Sequence, residues 1–301
     1  MQIKVILNPA ADNGRARYYR DPILQAAAPY GGLEVVVAER PGHAEILARQ
    51  AAEAGCELVV AAGGDGTVHE VVNGLYAAGS SPTRLGVIPL GSGNDFAFSA
   101  GLAADWQTAV PRLFTGSVKT VDLACIEADN GRACVFDNNF GLGFDARVVV
   151  QTQKMTRVHG FIKYFLAVLH SIAFYYQTPY LQMDFDGEQT AQPVLFLALG
   201  VGRRGGGGFL LTPDARQDDN LIDSCLVNPI GRLTMLQMLS QAVKGTHIHS
   251  RHVTMRQSRH ITIQLRDPAP VHVDGEMFAY PEDNVRQLTI TSLPAALSIQ
   301  G

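Results

Sequence analysis

Gly63-Gly64-Asp65-Gly66-Thr67 is the stretch of this sequence best suited to chemistry. It follows an apolar run, Leu58-Val59-Val60-Ala61-Ala62, and precedes a helical pattern that opens with Val68-His69-Glu70. Glycines let the backbone approach an anion, and a helix start offers unpaired N–H groups at the positive end of its dipole. Strand, glycine turn and helix in that order make a phosphate cradle. Asp65 is the odd member. A carboxylate repels phosphate unless a metal lies between them or it handles a hydroxyl proton, which points to phosphoryl transfer rather than phosphate binding alone. A second turn, Gly91-Ser92-Gly93-Asn94-Asp95, follows another apolar strand and brings a second acid. One Gly-Gly-Asp-Gly serves equally well as a tight turn with a helix cap; two such turns at successive strand ends shift the reading towards function. Thr67 and Ser92 offer hydroxyls and N–H groups, which is compatible with capping, and Asn8 ends the first strand on the same rim.

The elements that must position these residues alternate. Strands are expected at 3–7, 33–37, 58–62 and 85–90, with helices over 22–28, from 42 and from 68. Apolar strands separated by helices imply a parallel sheet covered on both faces, with ligands at the carboxyl ends of the strands. After residue 120 the pattern changes. Residues 121–126 and 133–136, joined through Asp129-Asn130-Gly131, read as a hairpin. Further strands at 181–185, 194–201, 221–227, 261–265 and 271–273 predict a β-sandwich or two-sheet domain. Residues 158–176 and 233–243 are its helical stretches, and 288–291 form a strand that fits either domain. The expected fold class is therefore α/β: a three-layer α/β/α nucleotide-binding domain over 1–122, then a β-sandwich domain over 123–301 whose end is free to return to the first.

A chain of 301 residues favours two domains, since single cores stop growing near ~250–300 residues. A net charge of −4 gives no support to nucleic-acid binding, which needs a basic footprint. No run approaches the ~20 apolar residues of a membrane span, and Met1-Gln2-Ile3-Lys4-Val5 lacks a signal-peptide layout. Cys56, Cys125, Cys134 and Cys225 are scattered, as expected of reduced thiols in a cytosolic protein. His247 and His249 flank Ile248 as in an exposed loop or strand, and with His252 they form no metal pattern.

Read with their neighbours, residues 63–73 and 89–97 resemble the nucleotide loops of the diacylglycerol kinase catalytic-domain family, which includes bacterial lipid kinases of YegS and BmrU type and sphingosine and ceramide kinases. The resemblance continues through Val121-Asp122-Leu123, 138–145, Gly206-Gly207-Gly208-Phe209, Pro213-Asp214-Ala215, 218–223 and Val273-Asp274-Gly275-Glu276, in family order. It implies transfer of phosphate from ATP, with magnesium, to a lipid hydroxyl, at a site between the two domains. By position, Gly64, Asp65, Gly66, Thr67, Val68, His69, Glu70 and Ser92 match the ATP-binding stretch, with Asn8, Gly63, Gly91 and Asn94 beside it. Asp65 would organise nucleotide and magnesium with support from Asp95, and Glu276 matches the proposed general base, although on the residues alone Asp274-Gly275-Glu276 reads as a hairpin turn. Asp219, with the backbone carbonyls of Arg216 and Leu221, matches a metal loop suited to magnesium or calcium; a plain Asx-turn is the alternative. Asp122 matches a family acid that steadies the magnesium network or makes a structural hydrogen bond.

Two positions depart from the pattern. Ala38 stands where the family often has Thr, and Asn220 where it usually has Gly. The 159–170 stretch reads as a buried helix, with a lipid-facing surface of Phe161, Tyr164 and Phe165 as the sharper alternative. The expectation is a cytoplasmic lipid kinase, peripheral to the membrane, with a homodimer left open. An NAD kinase-like enzyme with a soluble substrate and a non-catalytic nucleotide- or lipid-binding module are the rivals.

Overall fold

The apolar runs of the first third form a parallel sheet. In chain order the elements are β1 (Ile3–Leu7), α1 (Arg20–Ala27), β2 (Glu34–Val37), α2 (His43–Glu53), β3 (Leu58–Gly63), α3 (Asp65–Ala77), β4 (Arg84–Pro89), α4 (Asp95–Ser99) and α5 (Trp106–Thr115) in this computed structural model, which describes residues 1–79, 82–155 and 160–301, with 160 and 161 by backbone alone. The sheet order is β2-β1-β3-β4, every pair parallel, and the chain's last residues extend it, with Ile299 beside Leu85. Val60, Ala62, Ile88 and Leu113 meet in its core. These elements belong to one unit, Met1–Leu123 with Pro294–Gly301; Ala124–Leu293 form a second.

β5 (Val118–Ala128) carries the chain out of the first unit. There follow β6 (Ala133–Phe136), β7 (Asn139–Gly143), α6 (Phe144–Lys154), α7 (Gly160–Phe174), β8 (Tyr180–Phe185), β9 (Glu188–Pro193), β10 (Phe196–Gly200), β11 (Ile222–Val227), α8 (Arg232–Lys244), β12 (Val253–Ser258), β13 (His260–Leu265), β14 (Val271–Val273), β15 (Glu276–Ala279) and β16 (Gln287–Gln300). Six strands run β12-β11-β10-β7-β14-β15, antiparallel throughout, and face a second layer containing β9, β8, β13 and the start of β16. Phe140, Leu197, Leu226, Ile263 and Leu288 pack between the layers. The side chains of alternate residues turn the other way, so Ala198, Cys225 and Val227 pack under α6, α7 and α8. The α/β first domain and two-sheet second domain are as expected.

Several details differ from or add to the sequence reading, in which α4, α5, β7, β9 and β12 have no counterpart. Helix α1 begins at Arg20 rather than 22, and Asp65 and Asp95 are first residues of helices rather than turn residues. Helix α6 was not expected, because Val148-Val149-Val150 reads as strand; tertiary packing of Phe144 and Val148 against α7 and the sheet overrides that propensity. The stretch at 288–291 belongs to a 14-residue strand, β16, whose start pairs with β13 and whose end lies in the first unit. The expected helix start at Val158, His159 and the Phe161 side chain lie outside the described residues.

Candidate active site

In the first unit the two glycine turns touch backbone to backbone. A Cβ on Gly91 would lie 2.4 Å from the Gly64 Cα, and one on Gly63 would lie 2.2 Å from Thr67 Oγ1, so neither position admits a side chain as it stands. Asp65 Oδ1 accepts the Asp95 N–H at 2.6 Å and the Phe96 N–H at 3.2 Å, fastening the start of α4 to the start of α3. Asn94 has φ 52°, which an amide side chain tolerates better than most. Its Oδ1 accepts the Gly91 N–H and its Nδ2 donates to the Gly91 carbonyl, both at 2.9 Å. The second turn is thus closed on itself and pinned to the first.

The neighbouring residues brace this arrangement. Asn8 Nδ2 donates to Thr67 Oγ1 at 3.0 Å, and Thr67 is buried beneath the turn. Glu70 accepts the Gly42 N–H at 2.9 Å and the Ala44 N–H at 3.0 Å, which satisfies the start of α2. Val68 packs in the core, the carbonyl of His69 accepts from Asn73 Nδ2, and Ser92 is exposed. Asp95 is buried. Asp122 is buried too, and its Oδ1 accepts the N–H of Ala295 at 2.7 Å, where the backbone turns at φ 46°. Buried Ala38 donates its N–H to the Leu7 carbonyl.

The second unit holds the remaining sequence-derived residues. Asp274 and Gly275 have φ 49° and 82° and form the two-residue turn between β14 and β15, with Glu276 exposed at its end. Asp274 itself is buried: Oδ1 accepts the N–H groups of Asn138 and Asn139 at 3.1 and 2.9 Å, and Oδ2 that of Asp137 at 3.2 Å. In the 216–221 loop, Asp219 Oδ1 accepts the Leu221 N–H at 3.0 Å, an Asx-turn, and Asn220 takes the left-handed conformation at φ 60° that the family's Gly would supply. The Arg216 side chain pairs with Asp218 at 3.0 Å. One carboxylate and backbone carbonyls are a donor set that fits a hard divalent cation. Nearby Asp223 is buried, and burial first, then the charges of Asp219 and Asp214, push its carboxyl up to about 6 against the Gln257 hydrogen bonds.

Under α7 and α8 lies an apolar cavity of about 70 Å³, lined by residues including Phe144, Val168, Phe209, Met235 and Met238. Asp145, Tyr164 and His247 are its polar members. Asp145 Oδ2 accepts from His272 Nε2 at 2.9 Å and Oδ1 from the Tyr164 hydroxyl at 2.8 Å. Burial alone would raise the Asp145 carboxyl; attraction to the His272 ring with its Nε2–H bond, and the Tyr164 hydroxyl, hold it below the usual range.

The Diacylglycerol kinase catalytic domain family matches residues 2–126, and the YegS C-terminal NAD kinase beta sandwich-like domain family matches 139–301. The chain belongs to the YegS-type diacylglycerol kinase family. A Mycobacterium tuberculosis protein named diacylglycerol kinase is 29% identical over 99% of this chain and 94% of its own. A Chromohalobacter salexigens protein named probable lipid kinase YegS-like is 34% identical over 81% of this chain and 77% of its own. The crystal structure of a diacylglycerol kinase from Bacillus anthracis shares the fold, with a TM-score of 0.71 at 22% identity, covering 99% of this chain and 96% of that one. Among the described residues of this YegS-type chain, no helix is long and apolar enough to cross a membrane.

Three polar residues in or beside the second unit's cavity carry no role in the sequence reading. Asp145 was seen only inside a motif, and His272 not at all; a histidine between Val271 and Val273 in a strand was the available signal. His247 was read as exposed, yet it is buried in a short 3-10 turn, donating through Nε2–H to the Leu211 carbonyl at 3.2 Å. A sequence pattern of His-Ile-His alternates, but the chain there coils instead of extending.

The Asp223 shift sets a measurable pH dependence. A carboxyl raised from 3.8 to about 6 makes the folded state bind a proton that the unfolded state has lost. Its contribution favours folding below pH ~4 and fades as pH rises through 6. In chelator-treated protein, Asp223→Asn should flatten the denaturant midpoint between pH 4 and 6 relative to wild type. Equal slopes for the two proteins would refute the assignment.

Proposed function

We propose that this protein is an ATP- and magnesium-dependent kinase that phosphorylates the hydroxyl of a membrane lipid such as diacylglycerol, phosphatidylglycerol or a sphingoid base. The observation that carries the reading is the contact of the two glycine turns at Gly64 and Gly91, with Asp65 fastened across them. Two adjoining glycine turns at the ends of β3 and β4 present backbone N–H groups suited to a polyphosphate.

In this reading Gly63 to Glu70, with Asn8, Gly91, Ser92 and Asn94, bind ATP. Asp65 keeps the second turn in register through Oδ1 and, with support from Asp95, would hold the magnesium that accompanies the nucleotide. Asp122 supports the same unit by holding the Ala295 turn. Glu276 accepts the lipid hydroxyl proton as that oxygen bonds to the γ-phosphorus and the bridging oxygen leaves with ADP. Asp219 and the Arg216 and Leu221 carbonyls would hold a divalent cation, magnesium or calcium, relieving the crowding of Asp214, Asp219 and Asp223. Magnesium, when bound with the nucleotide, neutralises phosphate charge. The apolar cavity suits part of a lipid chain, and the enzyme works from the cytoplasmic side as a peripheral protein.

The relatives' names favour a lipid over a dinucleotide acceptor. The test is transfer of labelled phosphate from ATP to a panel of lipid alcohols and to NAD, with and without magnesium. Magnesium-dependent labelling of at least one lipid is expected; labelling of NAD alone, or of nothing, would overturn the reading.

A further inference from the structure

We propose that His272 is a positioning residue that ties the turn carrying Glu276 to Asp145 and Tyr164 in the wall of the apolar cavity, so that the filling of the cavity and the placement of the base are coupled. Its bearing on catalysis rests on the lipid-kinase reading above; the tie itself rests on geometry within the second unit. Both ring nitrogens of buried His272 are used. The Gly275 N–H donates to Nδ1 at 3.3 Å, so Nδ1 is an acceptor and the proton sits on Nε2. Nε2–H donates to Asp145 Oδ2, whose other oxygen takes the Tyr164 hydroxyl. Gly275 directly precedes Glu276, so the ring is bonded to the turn one residue from the base.

The surroundings are cut to fit this chain of bonds. Gly141 is paired with His272 across β7 and β14, and a Cβ there would lie 2.2 Å from Nε2 and 2.3 Å from Asp145 Oδ2. Gly206, at φ +61°, admits the Tyr164 ring, whose nearest atom would be 2.6 Å from a Cβ. A buried carboxylate bonded to histidine and tyrosine beside an apolar cavity is a poor way to gain stability, because apolar residues of similar volume do as well or better. It is a good way to fix the position of a turn.

Asp145 and Tyr164 stand in the cavity wall with Phe209, Leu211 and Val168. An acyl chain entering the cavity would pack against Tyr164 in its wall. Movement of Tyr164 reaches the Glu276 turn through Asp145 and His272, in three hydrogen bonds.

Two half-variants separate the links. His272→Asn keeps an acceptor near Nδ1 for Gly275 and loses the reach to Asp145; His272→Gln keeps a donor near Nε2 and loses the Gly275 bond. His272→Phe removes both. With a diacylglycerol in mixed micelles, kcat should fall about 10- to 100-fold in all three, with the KM for ATP unchanged. Wild-type kcat in either half-variant would overturn the proposal, because a merely structural histidine would be rescued by one of them. Hydrogen exchange at the Gly275 amide supplies a readout independent of turnover. It should quicken about tenfold in His272→Phe and His272→Gln. In wild type, diacylglycerol micelles should change that exchange rate, and in His272→Asn they should not. Unchanged exchange in the Phe and Gln variants, or an equal micelle response in wild type and the Asn variant, would refute the tie. Absence of phosphate transfer by wild type to any lipid would instead refute the kinase reading and leave the exchange experiment to decide the tie.

Discussion

Asp65→Ala should reduce phosphate transfer by about 10²- to 10³-fold, the cost of misplacing a binding loop by an ångström or of losing one well-placed charge. Its Oδ1 is the acceptor for two N–H groups at the start of α4, and that helix has only five residues. A helix so short does not hold itself together and depends on such contacts. Removing the acceptor leaves two donors to water or to nothing, at about 1–3 kcal/mol in all. Asp65→Asn divides the effect. The amide oxygen still accepts both N–H groups, so the thermal midpoint should return to within a few degrees of wild type. The charge does not return, so transfer should remain at least tenfold down, with the KM for ATP raised. An Asn variant with full activity would reduce Asp65 to a clamp for the second turn. An Ala variant with full activity would remove the turn from the mechanism.

The way Asp65 is used shows what local sequence conveys and what it hides. The glycines on either side announced a strand-to-helix turn because glycine spacing after an apolar run is a local pattern. That Asp65 reaches 30 residues ahead to Asp95 is a tertiary fact with no local trace. Glu70 is similar: it lies in the motif, yet its two oxygens are placed on the Gly42 and Ala44 N–H groups of a preceding helix. The parallel sheet was legible in the runs at 3–7, 58–62 and 85–90 because strands buried on both faces are apolar throughout. Helix α6 was not, since three valines in a row carry the opposite propensity and only burial against α7 decides them. Asn220 departs from the family's usual glycine, yet its φ of 60° is the left-handed conformation that asparagine tolerates better than most residues. His247 and His272 show the reverse case. A histidine in a chain is equally at home on the surface and in the core, and its neighbours in sequence do not say which.

The hairpin between β14 and β15 separates folding from chemistry within three residues. Glu276→Gln should lower kcat about 10²- to 10⁴-fold, the usual worth of a general base, and leave the denaturant midpoint unmoved, because the side chain is exposed and surface changes cost within about 0.5 kcal/mol. Asp274→Ala should do something different. Its two oxygens accept from three successive N–H groups, those of Asp137, Asn138 and Asn139, which no other residue in the turn can replace. Buried donors left unsatisfied cost about 1–3 kcal/mol each, and water entering the gap recovers part of it, so a loss of about 3–5 kcal/mol of stability is expected. Activity should fall with it, and should return in part at low temperature or with ligand, as a folding defect does and a chemical one does not. The two side chains are two residues apart and face opposite environments. Chemical denaturation and kinase assays on both variants therefore distinguish a base from its support. A Glu276→Gln variant that keeps wild-type kcat would move the general base elsewhere. An Asp274→Ala variant with wild-type stability would show that the 137–139 backbone is held by other contacts.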